Sequence, residues 1–420
     1  MRNIQINTMS NGLRVATDYI PTVESVSIGV WVRAGTRYEI PEDNGVAHLL
    51  EHMVFKGTKK RSAKEIAEAI ESVGGNINAY TSREMTAYYV KVLKADVKLA
   101  VDVLSDILQY SVFDNYELDR ERSVVLQEIG QANDIPDDVV FDNFQSTAFP
   151  DQPLGRPVLG KSDIVAGLSR DAIISFRDQH YQAPQMVVAA AGNLDHDKFV
   201  DYVGLKFDKL KNEKNPLIQD AVFNSGEYRE SRDLEQIHLI LGFASAAIGS
   251  QEFYGMSILS NLFGGGMSSR LFQEIRENRG LVYSIDTFMS AFSEVGLFGI
   301  YAGTGPENIT ELIPALCEQL KQLPTNLKDE ELNRAKIQLK SNLLMALEST
   351  SSRCEQLAQH LLLFDCVISV QEMLEKTDSI SLGQISELAS KLLTKEPVLS
   401  AIGNLDKLES HNAIAERLVA

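Results

Sequence analysis

Cysteine is scarce in this chain: Cys317, Cys354 and Cys366 are the only three in 420 residues, an odd number with no close C-x-x-C spacing. A disulfide scaffold is therefore excluded, and a reducing compartment fits best. Long apolar runs are missing too. The opening MRNIQINTMSNGLRV has no apolar core of signal-peptide length, and no later run approaches the ~18 apolar residues of a membrane span. An Arg- and Ser-rich amphipathic leader is likewise absent. The expectation is a cytoplasmic protein of bacterial type, without signal peptide or membrane contact. Positive charge is in short supply: 40 Lys and Arg stand against 58 Asp and Glu, a net charge of −18. Such a balance repels phosphate backbones and anionic lipid, so no nucleic-acid partner is expected, and it favours cationic peptides.

What is present is enough material for two large domains. The chain exceeds one ordinary core, and 44% hydrophobic with 23% charged residues is the composition of a globular protein. Compared with itself at an offset of about 210 positions, the sequence repeats. Ala190-Ala191-Gly192-Asn193-Leu194-Asp195 matches Ala401-Ile402-Gly403-Asn404-Leu405-Asp406, each after an apolar run that reads as a buried strand. Glu117-Leu118-Asp119-Arg120 matches Glu331-Leu332-Asn333-Arg334, and GVAHLLEHM from Gly45 lies in register with GMSILSNLF from Gly255. Between the halves KLKNEKNPLIQDAVFNSGEYRE is polar, with Pro216 and Gly226. The expected division is a catalytic domain at 1–208, a linker at 209–230 and a homologous domain at 231–420.

Within the first half, SVSIGVWVRAG reads as a strand. DNGVAHLLEHMVFKG reads as a helix capped by Asp43 or Asn44 and stopped at Gly57. Ser62 and Glu65 form a capping box for a helix closed by Gly74 and Gly75. NINAYTSREMTAYYVKVL reads as two strands joined near Ser82-Arg83. Strands and helices in runs, without strict βαβ alternation, predict an α+β fold with mostly antiparallel sheets.

The chemistry gathers on the first helix. His48 and His52 stand at i and i+4 on one face, so both imidazoles can reach one cation. Glu51 flanks that face, where its carboxylate can take a proton from a water activated by the metal. A catalytic zinc site needs a third protein ligand and an open position. Glu128, on the helix of ELDRERSVVLQEIGQ, is the candidate. Glu121 lies two turns earlier on the same face and can fix the tautomer of a ligand histidine. A lone histidine on an apolar helix is usually structural, but two of only seven at ligand spacing around a Glu favour a metal. For Glu121 and Glu128, spacing alone fits a solvated helix face equally well. In the repeat, His48, Glu51 and His52 correspond to Ile258, Asn261 and Leu262, and Glu121 and Glu128 to Ala335 and Asn342. All five are lost together, as expected of a set that works as a unit.

GVAHLLEHMVFKGTKKR, with Glu121 and Glu128 downstream, resembles the H-x-x-E-H inverzincin signature of the pitrilysin family. Within it, the length is similar to the short branch of the mitochondrial processing peptidase β subunit and its bacterial homologues. The resemblance implies one Zn2+ per chain on His48, His52 and Glu128, with Glu51 as base and Glu121 in support. It implies two homologous domains facing each other across a peptide-binding chamber. It also implies that substrate joins a sheet edge at Asn78-Ala79-Tyr80-Thr81, and that Arg276 and Tyr283 of IRENRGLVY contact substrate and stabilise the oxyanion. Because one chain carries both sets, a homodimer is expected. The sequence departs from the glycine-rich loop that the processing peptidase's partner α subunit uses, having only Gly264-Gly265-Gly266, which reads better as a helix end. The resulting expectation is a zinc endopeptidase acting on short or unfolded basic peptides, in oligopeptide or targeting-peptide processing. The competing class is a catalytically silent structural subunit of the same fold.

Overall fold

The computed structural model of the protein describes residues 2–213 and 218–419. The expected linker at 209–230 thus lies partly outside the described residues, and its end is structured, because Gly226 opens a strand. The chain forms two compact units, and neither is one continuous stretch. The first comprises 1–131, 156–219 and 344–367, and the second 132–155, 220–343 and 368–420.

The first unit is built on a six-stranded sheet of order β1-β2-β6-β3-β5-β4. Its strands are β1 (Asn3–Thr8), β2 (Arg14–Tyr19), β3 (Ser25–Val32), β4 (Asn76–Thr81), β5 (Thr86–Leu93) and β6 (Met186–Gly192). All neighbours are antiparallel except β2 and β6. β3 and β6 are apolar nearly throughout because both faces of the sheet are covered. One face carries α1 (Val46–Met53), α2 (Ala63–Glu71) and α3 (Val97–Tyr110) over Val26, Ile28, Val30 and Tyr88. The other is closed by the helix Thr350–Phe364, whose Leu357, Leu361 and Leu362 bury against Trp31, Ala87 and Ala189. That helix is also tied electrostatically. Asp18, fully buried, accepts from Arg353 Nε and Nη2 at 2.7 and 2.9 Å and from Arg2 Nε at 2.6 Å.

Two long helices follow, α4 (Asn115–Asn133) and α5 (Pro136–Ala148). α5 belongs to the second unit, where Val140 and Phe144 pack on Ile240, Leu297 and Val398. The sheet beneath runs β7-β11-β8-β10-β9, from β7 (Gly226–Ser231), β8 (Ile237–Ser245), β9 (Ser284–Ala291), β10 (Gly296–Thr304) and β11 (Val398–Gly403). Only β7 and β11 are parallel. This order repeats β2-β6-β3-β5-β4, parallel pair included, as the sequence repeat predicts. Each sheet thus receives one covering helix from the other half of the sequence. The α+β expectation holds for both units.

Candidate metal centre

α1 follows β3 and packs on the sheet through Val46, Ala47, Leu49, Leu50 and Met53. This leaves the stripe of His48, Glu51 and His52 facing away from the core, at helical spacing. The helix start differs from the sequence reading. Neither Asp43 nor Asn44 caps it; Gly45 takes the N-cap position in the left-handed region, at φ 101°. The acceptor comes from further back: buried Glu39 receives the N–H groups of Gly45 and Ala47 at 3.0 and 2.9 Å, and the Asn44 amide at 2.8 Å. A carboxylate at a helix N-terminus is favoured by both hydrogen bonding and the helix dipole. The second capping expectation is met, since Ser62 and Glu65 form their box at α2.

The imidazoles of His48 and His52 lie 4.7 Å apart between centroids, with planes at 64°. Their Nε2 atoms stand 3.8 and 3.6 Å from Glu128 Oε2 on α4. The three donors lie within 4.8 Å of one another. These separations are too long for hydrogen bonds. They approach the roughly 3.3 Å between ligands that sit about 2 Å from a tetrahedral zinc. Burial, then the neighbouring His52, pushes His48 down to about 4, so its ring is neutral and its lone pair available at pH 7. The donor set of two imidazoles and one carboxylate fits zinc.

Glu121, one-twentieth exposed, stands one shell further out. His52 Nδ1 is 3.2 Å from its Oε2, which places the ring proton on that nitrogen and leaves Nε2 to ligate. Lys56 completes this arrangement with Nζ 2.7 Å from Glu121 Oε1. The sequence reading overlooked Lys56, which lies four residues beyond His52 in the turn that follows α1. His48 Nδ1 is buried and has no hydrogen-bond partner among the described residues.

Glu51 points toward β4, where the Thr81 hydroxyl donates to its Oε2 at 2.5 Å. Burial raises the Glu51 carboxyl above its ordinary value, opposed by the Thr81 hydrogen bond and His52. β4 ends the sheet, and among the described residues no strand pairs with its outer edge. Asn78, Ala79, Tyr80 and Thr81 therefore form a free edge beside Glu51. Arg276 and Tyr283 belong to the second unit. Arg276 lies in the π-helical turn Phe272–Asn278 with its guanidinium 4.6 Å over Phe272. Tyr283 is three-quarters exposed just before β9. Gly264-Gly265-Gly266 closes the helix Phe253–Gly264, as read from the sequence.

Two histidines of one helix and a carboxylate of another, within reach of one cation on an α+β chain of two similar units, have the donor set of a zinc centre. Residues 14–162 match the family model described as Insulinase (Peptidase family M16), and residues 167–339 match Peptidase M16 inactive domain. An uncharacterized zinc protease of Rickettsia felis is 39% identical over 405 residues, covering 96% of this chain and 98% of that one. A probable mitochondrial-processing peptidase subunit beta of Arabidopsis thaliana is 35% identical over 429 residues, covering 98% and 81%. The solved structure of a protease from Helicobacter pylori superposes with a TM-score of 0.87 at 22% identity, covering 96% of this chain and all of that one. The chain belongs to peptidase family M16. No helix among the described residues is long and apolar enough to cross a membrane.

Proposed function

We propose that this chain is a zinc-dependent endopeptidase that hydrolyses short or unfolded basic peptides. His48, His52 and Glu128 hold one zinc ion, and Glu51 serves as general base. The observation that carries this reading is the convergence of the three donors beside a half-buried carboxylate at a free sheet edge. A zinc ion held there supplies Lewis acidity and lowers the pKa of water toward about 7. Glu51 takes the proton of the attacking water and returns it to the leaving amine, a task suited to its raised affinity for protons. Glu121 holds His52 in its ligating tautomer. Asn78 to Thr81 receive the peptide as an added strand, which binds main chain and asks little of sequence.

Arg276 and Tyr283 contact the substrate and steady the oxyanion. The chain works as a cytoplasmic homodimer, in oligopeptide or targeting-peptide breakdown. Its charge of −18 draws in cationic substrates.

The test incubates purified wild type and Glu51→Gln with a pool of basic peptides, with zinc measured in both by elemental analysis. One zinc per chain in each, with cleavage by wild type alone, is the expected result. Absence of both zinc and cleavage replaces this reading with a silent structural subunit of the same fold.

A further inference from the structure

The face of the first sheet turned away from the metal carries a cavity of about 290 Å3 walled by Trp31, Tyr80, Tyr89, Cys354 and Glu355. Its origin lies in strand register. Tyr89 of β5 pairs with Gly29 of β3 on one side and Asn78 of β4 on the other. Gly29 contributes no side chain, and a Cβ there would stand 2.5 Å from the Trp31 ring. Asn78 folds back, its Oδ1 accepting the Ala79 N–H at 2.8 Å. The Trp31 ring thus leans over Gly29, and the space beside Tyr89 is bounded by Trp31 and Tyr80 on one side and by the helix Thr350–Phe364 above.

Apart from Lys91, an exposed side chain of the lining, the polar groups around this space bond to one another. The Tyr80 hydroxyl donates to Glu355 Oε1 at 2.6 Å, and Trp31 Nε1 donates to the Tyr80 oxygen at 3.4 Å. Ser27 Oγ pairs with Thr350 and Ser351 hydroxyls at 2.8 and 3.1 Å. What remains to be covered is largely aromatic surface. An apolar cavity of roughly 150 Å3 accepts benzene, so this one has room for a larger ring. Aromatic rings also gain from edge and offset contacts with one another.

β4 supplies the occupant. Its Thr81 faces α1 and Glu51, while Tyr80 faces the helix Thr350–Phe364. A peptide added to the free edge alternates in the same way, sending every second side chain to the cavity's face. The short, folded-back Asn78 leaves the route from that edge to Tyr89 clear of a bulky side chain. We propose that the cavity is a specificity pocket for an aromatic side chain of the substrate peptide, at a position turned away from the metal. This inference rests on the reading of β4 as the substrate strand.

The test uses a basic host peptide in which each position is Ala or Phe in turn, and reads kcat/KM for each pair. Wild type is expected to favour Phe over Ala by about 10-fold or more at one position, and to show no such preference at the positions on either side of it. Ser351→Phe, placed on the exposed rim of the helix, fills the pocket, and Tyr89→Ala removes its floor. Both are expected to reduce the Phe/Ala ratio below about 3-fold, with zinc content and far-UV circular dichroism confirming folded protein. A ratio unchanged in both variants, or no Phe preference in wild type despite cleavage, overturns the pocket and leaves the peptidase standing. Cleavage of no peptide overturns the peptidase reading and the pocket with it.

Discussion

Replacing Glu39 by alanine tests how firmly the metal helix is anchored. The carboxylate is the acceptor for the N–H groups of Gly45 and Ala47 and for the amide of fully buried Asn44. Each buried donor left without a partner costs about 1–3 kcal/mol, and water entering the vacated space recovers part of this. The expected loss is about 3–5 kcal/mol. A unit of this size shifts by about 2–4 °C per kcal/mol, so Tm should fall by on the order of 10 °C. Ala47 is adjacent to His48, so the loosened first turn should also weaken zinc binding by roughly 10–100-fold, as for other supports of metal ligands. Differential scanning calorimetry of the apo-protein gives the first quantity, and competition with a chromogenic chelator the second. Glu39→Gln keeps the shape and one acceptor oxygen and should fall between the two. If Glu39→Ala melts within 2 °C of wild type and holds zinc equally well, the anchoring argument is wrong.

Three further perturbations separate stability from metal binding. Asp18→Ala leaves the guanidinium groups of Arg2 and Arg353 without their buried partner and should cost about 3–5 kcal/mol, read as a lower urea midpoint and faster proteolysis within 350–364. Burial alone would raise the Asp102 carboxyl, but hydrogen bonds from Lys206, Lys60 and Arg61 outweigh it and hold it well below the carboxylate range. A lowered folded pKa adds stability above the unfolded value near 3.9 and loses it as pH falls through the folded one. The urea-midpoint gap between wild type and Asp102→Asn should therefore be full at pH 7 and shrink below about pH 4. Lys56→Met removes the cation that holds Glu121 and should weaken zinc affinity about 10-fold without changing the circular dichroism spectrum.

The parts of the site set by helical periodicity were legible in the sequence. His48, Glu51 and His52 share a face because four residues make about one turn, and the structure brings both imidazoles to Glu128. Spacing left Glu121 and Glu128 open between support, ligand and solvated face. In the structure Glu121 lies 3.2 Å from His52 Nδ1, and Glu128 lies 3.8 and 3.6 Å from the Nε2 atoms of His48 and His52. Glu39 escaped notice because it reaches α1 through the tertiary path of the chain, from beyond the residues where N-caps are sought. Lys56 was hidden for a similar reason, since its partner lies on another helix. The covering helices were unreadable in a different sense. The apolar stripe of α5 or of Thr350–Phe364 states that a helix must be buried, but not which of two similar sheets will bury it.

Among the described residues only the first unit brings together a set of metal ligands, and the repeat clarifies why. The helix Phe253–Gly264 follows β8 as α1 follows β3, and its Ile258 and Leu262 stand in the order of His48 and His52. Both are buried in the second unit's core, as is Ala335 at the counterpart of Glu121. Burying an Ile or Leu stabilises by about 1.5–3 kcal/mol, whereas a ligand histidine must keep a lone pair turned to an open space. The same helix position therefore serves either packing or metal binding, and each copy has taken one. Restoring histidine at Ile258 and Leu262 would place two polar rings in an apolar core without a carboxylate to meet them, because Asn342 stands where Glu128 would be needed. Such a variant should lose stability without gaining a second zinc, so the loss in this half is not reversed by the two histidines alone.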